Sequence, residues 1–529
     1  MSHPPVANLA SLLAQTAALF PDRAGLIQGE RVWTWREIDA RVDALVQGLR
    51  SLGVKAGDKV LMQSRNNAAL FESCWAAFRL GAVWVPTNFR LTPPEIAYLG
   101  SSSEATVMLA EDCFGGHVDA VKEASSHLRH VVTIGQARSG EIGYESLVRA
   151  NLGAPALEAE VEAGTPLWYF YTSGTTGRPK AAMLTHGQMA FVVANHLADL
   201  IPGTDENDRS IAVAPLSHGA GIHALLNVAR GAATVLLPSE KLEPEVFWQL
   251  VEEHRVSNVF TVPTIVKMLV EDPAVDRYDH SSLRYVIYAG APMYRADQKR
   301  ALRKLGRVLV QYFGLGEVTG CITVLPPSMH ASDDADPNAN VGSCGRPRTG
   351  MQVAILDGQM QPVPPGTVGE ICCRGPAVFA GYFNNPEATA KALRGGWFHT
   401  GDLGRVDARG LLYITGRESD MYISGGSNVY PREVEEVLLT HPGVAEVAVL
   451  GMPDEKWGEI GVAVVVASQP GLTAEALLGH LDGRCARYRW PRHFFFWDSL
   501  PKSGYGKITK NDIRTRLVER GELRPAMHG

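Results

Sequence analysis

The feature that most constrains this chain is a recurrence of short, almost continuously apolar runs separated by helical patterns. VMLA (107–110), VVTI (131–134), SIAVAP (210–215), TVLLP (234–238), NVFTVP (258–263), RYVIYAG (284–290) and VLVQYFG (308–314) are rich in β-branched residues and do not alternate with polar ones. A strand with one wet face alternates; a continuous run belongs to a strand covered on both faces. Between two of the runs, LEPEVFWQLVEEHRV (242–256) places Val246, Leu250 and Val251 on a helical stripe, and residues 71–87 read as a buried helix running into a strand. Such alternation predicts an α/β fold of layers with mostly parallel sheets.

At 529 residues the chain is too long for a single core. Residues 351–415 read as a strand-rich subdomain with turns at 357–358 and 364–366, and 329–340 as an exposed polar connector. The clearest boundary is GRESDM (416–421). Beyond it, Pro431 starts a helix that His-Pro-Gly stops, followed by strands over 444–451 and 461–468 and a helix over 473–481. The expected fold class is therefore α/β, with a large multi-layer N-terminal domain over 1–416 that carries a β-rich subdomain, and a small α+β C-terminal domain over 421–529.

A net charge of -6 argues against a nucleic-acid partner. No apolar run approaches a membrane span, the N-terminal MSHPPVANLA has no basic leader, and the C-terminal PAMHG carries no lipidation or peroxisomal signal. Seven cysteines, with Cys372 and Cys373 adjacent and no C-x-x-C pair, suggest thiols in a reducing compartment, so a cytoplasmic protein is expected.

The chemistry is concentrated in YTSGTTGRPK (171–180), preceded by the strand-like LWYF (167–170). Two glycines, four hydroxyl side chains, Arg178 and Lys180 contribute nothing to a core. They suit a turn whose N–H groups, hydroxyls and cations surround phosphate. A Walker loop needs lysine directly after glycine and then Ser or Thr. Here Gly177 is followed by Arg178-Pro179, and Lys180 by Ala181, so an ordinary P-loop NTPase is disfavoured.

The segment resembles the signature of the adenylate-forming superfamily of acyl- and aryl-CoA synthetases, adenylation domains and luciferase, and the resemblance continues from about residue 15 to 515. It implies that Thr172, Ser173, Gly174, Thr175, Thr176 and Lys180 surround the β- and γ-phosphates of ATP. In APLSHGAG (214–221), His218 falls where the family has a histidine at the mouth of the acyl pocket. Gly290, Ala291 and Pro292 match the small-residue turn under the nucleotide base. QYFGLGEVTG (311–320) matches the next motif: Gln311, Tyr312, Phe313 and Gly314 at the nucleotide, with Phe313 stacking on adenine, and Glu317, with Thr175, holding Mg2+. The family's threonine is replaced by Gly316, which removes an α-phosphate contact; Thr319 compensates only if the turn is reshaped. Asp402 in TGD matches the ribose ligand, and Arg417 an arginine that also reaches the nucleotide.

At the hinge, 417–420, the family has Asp or Lys where this chain has Ser419, flanked by Glu418 and Asp420. The resemblance makes the C-terminal domain mobile about this point. Gly425 and Gly426 match the loop lining the CoA pantetheine tunnel, and Lys507 in GKI matches the adenylation lysine. The acyl pocket implied by the same match includes His218, Gly219, Gly221, His223, Val262, Leu315 and Val318, a small and apolar set without a cation for a second carboxylate. An aromatic, cyclic or medium-length monocarboxylic acid fits it.

Lys507, His218 and Glu317 are thus the expected catalytic residues of an acid–CoA ligase using ATP, Mg2+ and CoA. The alternatives are an amide-forming ligase or carrier-loading enzyme that passes the same adenylate to an amine or carrier protein, and a nucleotide-binding protein that has lost catalysis. A homodimer is common in such families.

Overall fold

The computed structural model describes residues 5–172, 178–291, 293–417, 419–424, 427–454, 457–502 and 508–523. Two large sheets form the bulk of the molecule. The seven-stranded sheet runs, in spatial order, Lys180–Thr185, Pro166–Thr172, Val83–Pro86, Lys59–Gln63, Val107–Glu111, His130–Ile134 and Ile142–Gly143. Every pair in it is parallel except the first, a hairpin. The nine-stranded sheet is parallel from Leu309–Phe313 through Tyr285–Tyr288, Asn258–Thr261, Arg209–Ala212 and Ala233–Leu236 to Ala24–Gln28, with antiparallel strands at both edges.

Helices lie between and outside these sheets. Ala68–Leu80 is buried almost all round, as an apolar helix sandwiched between layers must be. The Asn67 side chain caps its start by accepting from Leu70 N–H, and Gly81 stops it at φ 72°. A side chain at Gly81 would collide with Ala159, 2.8 Å away. The shared core joins Trp75, Trp84, Trp168, Leu225, Val310 and Val318. All seven expected strands form. The 242–256 helix spans Pro244–His254, but its buried face is Phe247, Trp248 and Val251, with Val246 and Leu250 only half-buried. The two adjacent aromatics turn the helix toward themselves because they bury the most apolar area.

Residues 351–415 form an antiparallel four-stranded sheet of Gln352–Leu356, Gly369–Arg374, Phe398–Val406 and Leu412–Arg417. The C-terminal part is built on the long antiparallel pair Val444–Asp454 and Gly458–Ala467. Its side chains alternate cleanly: Val447, Val449, Ala463 and Val465 face helices Pro431–Leu438 and Ala474–Leu481. Ala448, Leu450, Val462 and Val464 face helix Lys510–Glu519. The expected helix–strand–strand–helix core is present. A hairpin of Tyr422–Ser424 and Ser427–Val429, a parallel strand His493–Phe496 and the last helix complete it. All seven cysteines are free thiols. Among the described residues, no helix is long and apolar enough to cross a membrane.

Candidate active site

The antiparallel strands Pro166–Thr172 and Lys180–Thr185, which flank the Gly/Thr-rich segment in sequence, form one edge of the seven-stranded sheet. Its register sets Thr172 directly opposite Lys180, so both ends of the connection are pinned. Ser173, Gly174, Thr175 and Thr176 lie outside the described residues. Arg178 lies over the Tyr98 ring at 5.1 Å, and the Lys180 ammonium lies 4.8 Å from the Tyr382 ring centroid.

Glu317 joins the two large sheets. It sits in the single turn Gly316–Val318 after strand Leu309–Phe313, and it is buried. Its Oε1 accepts from the Thr172 hydroxyl at 2.8 Å and from the Tyr382 hydroxyl at 2.9 Å. Its Oε2 is buried with no hydrogen-bond partner among the described residues. An unsatisfied carboxylate oxygen in the interior is costly. Oriented by two donors and lacking a third, it suits a hard divalent cation that takes oxygen ligands.

Tyr382 escaped the sequence reading. Its signal was the Gly-Tyr of AGYFNN, where Gly381 takes φ 125° and the Tyr382 that follows is buried. Burial and the Glu317 carboxylate push the phenol far above its ordinary pKa, so it remains a donor. Gly316 also acquires a reason: a Cβ there would lie 2.6 Å from the Phe170 ring and 2.8 Å from Thr172 Cγ2. The residue that would supply the missing hydroxyl has no room while Phe170 and Thr172 hold these positions. Thr319, at φ 49°, buries its side chain and leaves its hydroxyl unpartnered among the described residues.

His218 precedes helix Gly219–Val228, and its ring lies 4.5 Å from that of Phe170. Phe170, Thr172, His218, Gly316 and Glu317 are therefore one neighbourhood. The Phe260 ring occupies the space a Gly219 side chain would take, 2.8 Å from the Cβ position, and stacks on Tyr312 at 5.9 Å. His223 is buried, and loss of solvent lowers its pKa to about 4. Leu315 and Val262 are half-buried, whereas Val318 is wholly buried in the main core.

Gly290 takes φ 81°, Ala291 is half-buried, and Pro292 lies outside the described residues. Gln311 accepts from the Tyr288 hydroxyl at 3.2 Å, and Phe313, at the strand end, is half-buried. Gly314 permits a close chain crossing, since a Cβ would lie 2.5 Å from Gly320.

In the four-stranded sheet, Asp402 and Arg417 face each other across strands and pair at 3.0 Å. Glu370 braces their turn: it accepts from Gly401 N–H and is itself held by His399 and Arg394. Ser419 is exposed, with its hydroxyl 3.5 Å from the Asp420 carboxylate.

Glu418, Gly425, Gly426 and Lys507 lie outside the described residues. Beside the hairpin that carries the two glycines, Ser424 pairs with Gly458, next to Trp457. Arg492 lies over the Trp457 ring at 5.3 Å, and Arg487 over Trp490 at 5.5 Å. This cationic, aromatic surface was also passed over; its trace in the sequence is RCARYRWPRH (484–493).

The model of the AMP-binding enzyme family matches residues 13–383, and that of the AMP-binding enzyme C-terminal domain matches 433–507. The chain belongs to the AMP-binding enzyme family. It is an adenylate-forming enzyme by this membership. A feruloyl-CoA synthase from Amycolatopsis is 37% identical over 513 residues, covering 96% of this chain and 99% of the relative. The fold is similar to the anthranilate CoA ligase AuaEII in complex with anthranoyl-AMP, with a TM-score of 0.87, 26% identity and coverage of 98% and 99% of the two chains. It is also similar to the amide bond synthetase McbA from Marinactinospora thermotolerans, with a TM-score of 0.86, 28% identity and coverage of 96% and 99%.

Proposed function

We propose that the protein joins an aromatic monocarboxylic acid to CoA through an acyl-adenylate, releasing AMP and pyrophosphate. As a member of its family it is an AMP-forming acid–thiol ligase that uses ATP and CoA. The observation that carries the reading is the Glu317 carboxylate, oriented by Thr172 and Tyr382, with one oxygen left without a partner among the described residues and Lys180 paired in register with Thr172. Mg2+ is the cation this oxygen would hold, supplying positive charge to the phosphates.

The first half-reaction is an in-line attack of a carboxylate on the α-phosphorus. Three anionic groups must meet, so the barrier consists of repulsion and misorientation, and fixed donors and cations are the remedy. Lys180 and the loop hydroxyls hold the outer phosphates. Asp402, fixed by Arg417, accepts from the ribose hydroxyls. His218 marks the mouth of the acyl pocket, and Lys507 bridges the acid and the α-phosphate. Residues 1–416 and 421–529 are the two domains, with Ser419 at the hinge between them. In the second half-reaction the CoA thiol arrives past Gly425 and Gly426, while Arg492 and Trp457 offer a cation and a flat ring to its nucleotide end. The aromatic acid is favoured by pocket residues that are rings or small side chains, and by relatives named for ferulate, indoleacetate and anthranilate.

The likeness to an amide bond synthetase supports a second reading, in which an amine takes the acyl group. AMP release measured across a panel of aryl acids, with CoA, a simple amine or neither, separates the two. Thioester formation dependent on acid and CoA is expected. Amide formation without thioester selects the second reading, and no AMP with any acid overturns both.

A further inference from the structure

Below helix Gly219–Val228 the nine-stranded sheet carries a polar belt in an otherwise apolar stretch. Asn258, Ser210 and Thr234 occupy matching register positions on three neighbouring parallel strands. Ser210, Thr234 and His223 share the wall of a small cavity with Leu216, Ala220 and Phe260. The cavity has room for about one water molecule. Its polar groups are too buried to be bystanders: Thr234 and His223 are 2% and 4% exposed. The Thr234 hydroxyl has no hydrogen-bond partner among the described residues.

The hydrogen bonds around His223 fix its tautomer. Asn227 donates its amide to the His223 carbonyl at 2.9 Å, so its own side-chain oxygen is free to accept from the Asn258 amide at 3.1 Å. The Asn258 oxygen, 2.7 Å from His223 Nε2, must then accept from the ring. The proton is therefore on Nε2, and Nδ1 is left as an acceptor. With the pKa near 4, the ring remains neutral through the working range. An acceptor on His223 and an unused donor on Thr234 together match a hydroxyl group, which both gives and takes a hydrogen bond.

Resting on the ligase reading above, we propose that the acid carries a hydroxyl at the end of its body farthest from the carboxylate, and that His223 and Thr234 bind it. The His223 ring lies 6.1 Å from the Phe260 ring, which in turn lies under Gly219, the residue after His218. Phe260 stands between the Gly219 end of the helix and the cavity, its ring under Gly219 and stacked on Tyr312. For the acid to reach the cavity from the His218 mouth, this side chain must turn aside.

The test uses the full-length enzyme and acid-dependent exchange of labelled pyrophosphate into ATP with 4-hydroxycinnamate, 4-methylcinnamate and cinnamate. kcat/KM for the hydroxylated acid should exceed that for either analogue by at least about tenfold, because the analogues leave buried polar groups unpaired. The ratio should fall toward one in Thr234→Val, which keeps the side-chain shape, and in His223→Leu. Equal rates for the three acids in the wild type overturn the proposal and assign the cavity to a buried water. An unchanged ratio in a folded Thr234→Val overturns it as well. Absence of exchange with every acid overturns the ligase reading and this proposal together, whereas equal exchange overturns this proposal alone.

Discussion

The two sides of the candidate site are built differently. On the phosphate side, polar groups are cross-braced: Glu317 takes bonds from Thr172 and Tyr382, Lys180 lies on the Tyr382 ring, and Asp402 is paired with Arg417. On the acid side, position is set by rings against backbone: Phe170 on His218, Phe260 under Gly219, and Tyr312 on Phe260. Hydrogen bonds and ion pairs have narrow geometry, so the first side is fixed before a ligand arrives. Ring packing is non-directional and tolerates exchange of shape, so the second side is where selectivity is set. Changes on the phosphate side should therefore slow every acid alike, and changes on the acid side should reorder the acids.

The largest effect is expected from Lys507→Ala, which should abolish adenylate formation and spare thioester formation from supplied acyl-adenylate; single-turnover assays of the two halves check this. Retention of both halves at full rate removes Lys507 from the account. Glu317→Gln keeps the shape and removes the charge, and should lower kcat about a hundredfold for all acids. A loss confined to some acids would break the division of labour. Tyr382→Phe retains the ring under Lys180 and loses the bond to Glu317. About a tenfold loss is expected, the usual scale for a hydrogen bond to a charged group, with the ranking of acids unchanged. Phe260→Ala should do the reverse and raise the relative kcat/KM of bulkier acids severalfold, at a stability cost of about 3 kcal/mol.

The smallest effect concerns stability. His186, His223 and His330 are buried and lowered to about 4. Their folded pKa lies below the unfolded one, so the unfolded chain binds more protons between about pH 6.5 and 4. Their contribution to stability is complete above that window and is lost as pH falls through it, by up to about 1.4 kcal/mol per pH unit for each histidine. Urea midpoints between pH 7 and 4 measure the slope. Substituting His223, the histidine on the acid side, should reduce it.

The sequence carried much of this because its signals are local. Seven apolar runs became strands, and the strand before the Gly/Thr-rich segment ends with Thr172 opposite Lys180. What escaped depended on contacts across the chain. The final helix Lys510–Glu519 buries only Ile513 and Leu517, too thin a stripe to read. The strand His493–Phe496 is four residues long, with outer positions exposed. Tyr382 acquires meaning only from Glu317 and Lys180, distant in sequence, and Gly316 only from Phe170 and Thr172. Whether the turn is shaped so that Thr319 replaces the missing hydroxyl is not written in the local sequence; the fold buries its side chain.

The central claim is that the braced carboxylate and the Gly/Thr-rich segment together bring an acid to the α-phosphorus of ATP. Pyrophosphate exchange into ATP, with and without an aryl acid, tests it most directly. The account predicts exchange that requires the acid and collapses in Glu317→Gln. Exchange that proceeds without acid, or is indifferent to Glu317, would contradict it.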